Sequence, residues 1–344
     1  MKRKVFKIVG YLLLLSIFIF LFEIFYPRNY NVPRLHSRPN EQYWNLSSGS
    51  RIGYVLLKAK NNTKSYPIIF LHGGPGGHIS DRNIHDFSPL TDSGYNVYLY
   101  DQIGSGESAR LNDIKEYTVE RHIKDLQEII KKINAQKVIL IGQSWGAIFA
   151  TLFAADHTDK IDKLILTSPG PMYPYHNDRT NVPPPDSVHL KNPFYTNVQG
   201  NAIANNIRTK AMTYFATSFG KKIATDNEAD AFETYLSYEV NRSTVCDTAN
   251  ILKEEAGDGF YASVMTYKSL TEIEDPRSKI KNLDVPVLVM KGECDNQKWG
   301  FTNEYLQLFR NHQLAIIPNA GHFIDVEQPE LYINTIQQFL KTKN

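Results

Sequence analysis

A doubly wound α/β sheet of mostly parallel strands with an inserted helical cap is the fold class that the sequence predicts, and three observations predict it. Short, continuous apolar runs recur at Tyr66 to Leu71, Tyr95 to Tyr100, Lys137 to Ile141, Lys163 to Thr167 and Val285 to Met290, as expected of strands buried on both faces. Between the second and third runs, Val119, Ile123, Leu126, Ile130 and Ile133 fall on one side at helical spacing, so this segment is expected to pack on the sheet as a helix. Alternation of this kind favours parallel strands, with ligands at their carboxyl ends. From Thr167 to Val285 the alternation stops, and a proline- and asparagine-rich opening (Pro169 to Asn201) is followed by polar helical stretches to about Ile280. This reads as a cap over 171–280 set into a core of 41–170 and 281–344.

A chain of 344 residues suits one large domain with such an insertion. Hydrophobic residues at 42% and charged residues at 22% exclude wholesale disorder. A formal net charge of +2, with no long basic run outside the N-terminus, leaves a nucleic-acid partner without electrostatic support. The two cysteines, Cys246 and Cys294, are too few for a zinc cluster or a disulfide-rich scaffold. One bridge is open to them, but two unbridged, partly buried thiols are the expectation. Aspartates and histidines do not cluster at metal-ligand spacing, and neither a metal nor an organic cofactor is expected.

At the N-terminus, Lys2, Arg3, Lys4 and Lys7 precede an uncharged run from Ile8 to Phe22, and after Glu23 the apolar character continues to Tyr26. The stretch 8–26 is just long enough to cross a bilayer as a helix, which takes about 20 residues. A buried core helix and a cleaved signal peptide compete with this reading. The run ends in Phe-Glu-Ile-Phe-Tyr-Pro rather than in small residues, which favours an uncleaved single-pass anchor. The four N-terminal cations favour a cytoplasmic segment 1–7 and an extracytoplasmic domain, although Arg28, Arg34 and Arg38 weaken the bias. Residues 27–40, with three prolines and no apolar periodicity, read as a linker lifting the domain off the membrane.

Gly142-Gln143-Ser144-Trp145-Gly146 directly follows a strand and precedes a helical pattern, the setting of a nucleophile elbow, in which the flanking positions must be small so that backbones can pass. A serine hydroxyl needs a base to take its proton and an acid to orient that base. Asp295 follows the strand Val285 to Met290, and His322 follows Ala315-Ile316-Ile317, so acid and base come in the order serine, acid, histidine. Glu293 and Asp325 are rival carboxylates. The loop His72-Gly73-Gly74-Pro75-Gly76-Gly77 follows the strand ending at Leu71; the N–H groups of Gly74 and Trp145 are the expected oxyanion donors. A phosphate-cradling role for this loop fails for want of Walker spacing and its lysine, and Gly104-x-Gly106 is too short to argue a dinucleotide site.

Together with Asp101-Gln102-Ile103-Gly104-Ser105-Gly106-Glu107-Ser108, these motifs resemble the prolyl iminopeptidase family of α/β-hydrolases across about 41–344. The resemblance implies an α/β-hydrolase fold and removal of an N-terminal residue, often proline, from a short peptide through an acyl-enzyme. It also implies cap glutamates that read the free α-amine, one of them in a Trp-x-x-Trp-Glu pattern. Tyr235-Leu236-Ser237-Tyr238-Glu239 is similar to that pattern, which makes Glu239 the expected amine anchor, with a solvated helix charge as the other reading. The chain departs from the family at Ile103, where arginine is usual, and in showing no second cap glutamate near Val264 to Tyr267. An esterase or lactonase with the same triad, and a membrane-tethered binding protein that has kept only the fold, stay open as alternatives.

Overall fold

Strands buried on both faces must satisfy their backbone groups along both edges, and they do so by pairing with one another. The computed structural model describes residues 2–61, 63–251 and 255–342, with side chains from Lys4 onward. Met1 of the expected cytoplasmic segment, residues 252–254 of the expected cap and residues 62 and 343–344 of the expected core lie outside the described residues.

After α1 (Lys2–Phe25) come β1 (Gln42–Asn45), β2 (Arg51–Leu57), β3 (Ile68–Leu71), α2 (Asp81–Phe87), β4 (Val97–Tyr100), α3 (Val119–Lys132), β5 (Val138–Gln143), α4 (Trp145–Asp156) and β6 (Ile161–Thr167). Four helices follow over the sheet: α5 (Asn197–Ala204), α6 (Ile207–Phe219), α7 (Asp226–Asn241) and α8 (Phe260–Leu270). The short α9 (Arg277–Ile280) leads back to β7 (Val287–Gly292), α10 (Trp299–Leu308), β8 (His312–Ile317), α11 (Ile324–Glu327) and α12 (Pro329–Lys341).

The eight strands form one sheet in the order β1-β2-β4-β3-β5-β6-β7-β8. β2 pairs antiparallel with β1 and β4, and every other pairing is parallel. Alternate residues of β5 serve opposite faces: Val138 and Leu140 join the layer of α3 and α4, whereas Ile139 and Ile141 join the layer of α2 and α12. From β3 the chain crosses to β4 on one side, and then to β5 on the other. The order therefore reverses between β3 and β5, where Leu71 lies opposite Gly142. Ligands of open α/β sheets bind outside the strand ends at such a reversal.

Two expectations are corrected here. Residues 27–40 do not hang free as a linker. Tyr30 packs on Phe232 and Tyr235 of α7, and Arg38, buried, donates to the fully buried Asp101 at 2.8 Å and pairs with Glu41 at 3.2 Å. A buried guanidinium is tolerated only when paired, and Asp101 and Glu41 supply the pairing. Nor are the cysteines separate thiols: Cys246 and Cys294 are joined in a disulfide, Cα to Cα 5.1 Å. The segment leaving α7 returns over the loop after β7, a proximity that a separation of 48 residues hides from any local pattern.

Candidate active site

Ser144 stands between β5 and α4 with φ 55° and ψ −115°, a conformation that costs a non-glycine residue energy and marks sites held by their surroundings. Those surroundings require glycine. A Cβ at Gly142 would run into the Gly146 carbonyl, and one at Gly146 would run into the Leu71 carbonyl. Ser144 N–H donates to Thr167 O at 2.9 Å, which ties the turn to β6. Trp145 opens α4, so its N–H belongs to the set that a helix leaves without an internal acceptor. Its indole is fixed separately, donating to Gln102 at 2.8 Å. The loop after β3 lies alongside: a Cβ on Gly73 would come 3.3 Å from Ser144 Cβ. Gly74, at φ +116°, has no room for a side chain against the backbone N of Gly76, 2.7 Å from such a Cβ.

His322 and Asp295 are brought together from loops after β8 and β7. His322 Nδ1 lies 2.8 Å from Asp295 Oδ1, with both residues buried. That oxygen also accepts from Gln297 N–H at 3.0 Å. The other oxygen of Asp295 accepts from Lys291 Nζ at 3.0 Å, and Lys291 also donates to Gln297 O at 2.8 Å. Burial by itself would raise the Asp295 carboxyl; the Lys291 ammonium, followed by His322, outweighs it and holds the group well below the usual carboxylate range. Of the rival carboxylates, Glu293 pairs with Lys191 at 2.9 Å, and Asp325 accepts from Asn83 at 3.2 Å. The histidine loop is clamped to the cap's return segment: His322 N–H donates to Thr244 O at 2.7 Å, and Glu327 accepts from both Gly321 N–H at 2.7 Å and Cys246 N–H at 2.8 Å. Lys291 and Glu327 escaped the sequence reading because neither stands in a catalytic motif.

Ser144, Gly74 and His322 open into one cleft of about 440 Å³, roofed by α7 and α8. The structure does not bring Glu239 to it. Glu239 faces Arg242 at 3.0 Å, and its backbone packs against Gly200 of α5. Six residues of helix amount to about 600°, so Glu239 lies well away from the side of α7 that carries Glu233. That side presents Glu233, Leu236, Ser237 and Val240 to the cleft. Glu233 is open to the cleft yet ringed by protein, and desolvation pushes its carboxyl up to about 8, against a Ser263 hydrogen bond that lowers it. Nearby, His78 and Asp258 pair at 2.9 Å. Burial disfavours the charge on each, but their mutual bond outweighs it, raising His78 and lowering Asp258. Each is engaged by the other, and among the described residues no salt bridge joins Glu233 to a cation. No local pattern along 226–241 singles it out, because packing decides which side of α7 meets the cleft.

Comparison with known proteins agrees with this geometry. A family model described as the α/β-hydrolase fold matches residues 66–329. The proline iminopeptidase of Saccharolobus solfataricus is 32% identical over 307 residues, covering 85% of this chain and 89% of that protein. The 2-hydroxy-6-oxo-6-(2'-aminophenyl)hexa-2,4-dienoic acid hydrolase of Metapseudomonas resinovorans is 28% identical over 288 residues, 81% and 86% of the two chains. Among solved structures, a proline iminopeptidase from Mycobacterium smegmatis superposes with a TM-score of 0.57 at 17% identity, covering 87% of this chain and 97% of that one, a likeness of fold.

Proposed function

Because the chain belongs to the α/β-hydrolase fold family, among its proline iminopeptidase-like members, we propose that it is a serine aminopeptidase releasing one N-terminal residue from short peptides. Ser144 Oγ attacks the first peptide carbonyl while His322 takes the hydroxyl proton. The oxyanion is met by the N–H groups of Gly74 and Trp145. His322 returns the proton to the departing peptide nitrogen as the C–N bond breaks, leaving the residue as an ester on Ser144. Water, deprotonated by His322, then cleaves that ester. Asp295 orients the imidazole and balances its charge.

The observation that carries the peptide reading is Glu233: a desolvated carboxyl in the same cleft as Ser144 that, among the described residues, no salt bridge joins to a cation. An ammonium placed beside it would draw it into its charged form and form a charge-assisted hydrogen bond. The deciding experiment compares Pro-, Ala- and N-acetyl-Pro-aminocoumarin amides with a nitrophenyl ester. Turnover confined to the ester defeats the aminopeptidase reading in favour of an esterase. Glu233→Gln is expected to lower kcat/KM on free-amine substrates roughly 10- to 100-fold, the worth of one hydrogen bond to a charged group, and to leave any ester turnover near wild type.

The same carboxyl has a stability signature in the unliganded protein. The folded state holds its proton up to about pH 8, whereas the ordinary value is 4.5, so the contribution of Glu233 to stability falls as pH rises through that window. The melting temperature of Glu233→Gln is therefore expected to gain on wild type between those limits. Parallel curves would show that the carboxyl is not held protonated.

The proposed setting is a membrane surface, with α1 as an N-in anchor and the domain outside the cytoplasm. In support, Lys4–Phe25 is long and apolar enough to cross a membrane, and its apolar window is not buried in the protein. The Cys246–Cys294 bridge suits an oxidising compartment. Alkylation of the protein as it leaves the cell, before any reductant, is expected to modify neither cysteine; two alkylated thiols would overturn this placement.

A further inference from the structure

Helix α1 is fastened to the cap. Arg208 of α6, buried, donates Nη1 to the Ile24 carbonyl at 2.6 Å and forms an ion pair with Glu228. Glu228 in turn accepts from the Arg28 N–H at 2.8 Å. The Ile24 carbonyl belongs to the last turn of α1, whose carbonyls have no acceptor-to-donor partner inside the helix; the guanidinium caps it at the negative end of the helix dipole. Beside it, the Phe25 ring meets Phe215 of α6 at 6.4 Å. The end of α1 and the helix α6 are thus one packed unit.

The outer side of helix α6 exposes Lys210, Thr213 and Ser218 together with large apolar side chains. Met212 and Ala216 are buried toward the cap, yet Ile207, Tyr214 and Phe219 are 47%, 58% and 55% exposed on the outside. Tyr214, Phe215 and Phe219 form a ring cluster with centroids 5.6–6.0 Å apart. Large apolar side chains gathered on a water-facing surface, as these rings are, mark an interaction site.

We infer that this outer side of α6 docks into the head-group and acyl boundary of the bilayer, so that the cap is bound to the membrane along with the anchor. The inference rests on the reading of α1 as a membrane span. At 1.5 Å per residue, the 24 residues of α1 extend about 36 Å, enough to cross a hydrocarbon core of about 30 Å. The end of α1 then stands at head-group level, and α6, held to it through Ile24 and Phe25, stands at the same depth. Aromatic and aliphatic side chains on a helix lying in that plane bury themselves in the boundary. Since α6 packs on α8, which carries Ser263 and Tyr267 into the cleft, docking sets one side of the cleft's roof against the lipid.

The test uses the full chain in phosphatidylcholine–phosphatidylglycerol vesicles. Cys246 and Cys294 are bridged, so an introduced cysteine can be labelled selectively with an environment-sensitive fluorophore. Labels go on Ile207→Cys, Tyr214→Cys and Phe219→Cys, with Leu14→Cys inside α1 and Asn334→Cys, at an exposed position of α12, as references. Docking predicts blue-shifted emission at 207, 214 and 219, quenched by lipids carrying a nitroxide near the head group, with Asn334→Cys unshifted and unquenched. If the α6 labels behave like the Asn334→Cys label while the Leu14→Cys label is quenched by deep nitroxides, the docking proposal is overturned and the anchor stands. If the Leu14→Cys label is not quenched, the anchor reading fails and docking fails with it. A blue shift on α6 that follows protein concentration and ignores nitroxide lipids would assign the face to a second copy of the chain, again overturning the proposal. Three labelling sites guard against one substitution disturbing the helix.

Discussion

Ser144→Ala is expected to lower kcat on the preferred amide on the order of 10⁵-fold or more, because removing the nucleophile of a working triad costs about as much as removing the whole unit. The elbow geometry makes this a clean deletion. The φ of 55° at Ser144 is imposed by the crossing of β5, α4 and Leu71 at Gly142 and Gly146, and alanine fits the small space that serine leaves. The variant should therefore fold, keep its cleft and bind substrate with little change. What survives is the contribution of the oxyanion donors and binding, some 10³- to 10⁴-fold over water in triad enzymes. Labelling by a fluorophosphonate reads the same point without a substrate: wild type is expected to be labelled and Ser144→Ala is not. A wild-type protein inert to the reagent would sink the catalytic reading and leave a binding protein of the same fold.

Asp295→Asn is expected to lower kcat about 10⁴-fold, the cost of a wrongly held imidazole, and to destabilise the protein as well. The second effect follows from Lys291. Both oxygens of Asp295 are engaged, one with His322 and one with the buried Lys291 ammonium, and removing the charge leaves that ammonium without its counterion. Breaking one side of a buried pair costs about 3–5 kcal/mol, read as a shift in the denaturant midpoint. Lys291→Met combined with Asp295→Asn should recover much of that stability and none of the activity. The acid limb adds a sign. Because the folded carboxyl is held below the usual range, its contribution to stability is full above ordinary carboxylate pKa values and is lost as pH falls beneath them. Asp295→Asn is expected to lack this part of the acid destabilisation. A variant as stable as wild type, with intact turnover, would remove Asp295 from the site.

The legible part of the site was the part written in local backbone constraints. Ser144, Asp295 and His322 each follow a strand, in loops whose glycines are demanded by close passage, and such demands leave a mark within a few residues. Glu239 failed for the complementary reason. A short aromatic pattern pointed to it, but which carboxylate faces a cleft depends on helical phase and on what the helix packs against; α7 turns Glu239 to Arg242 and α5 and gives Glu233 to the cleft. Residues 27–40 were misread because proline content and missing periodicity describe an irregular path equally well whether it is free or docked. Arg38 on Asp101 shows it to be docked.

By itself, then, the sequence determined the parallel strands β3 to β7 and the helix α3 among them, the position of the elbow, the triad in its chain order and the long apolar helix at the N-terminus, because each rests on the chemistry of neighbouring residues. Tertiary structure alone decided the Cys246–Cys294 bridge, the ammonium behind Asp295, the desolvated Glu233 and the fastening of α1 to α6. Each of these joins segments far apart in the chain, and the burial that sets their charge and pairing exists only once the cap has closed over the sheet.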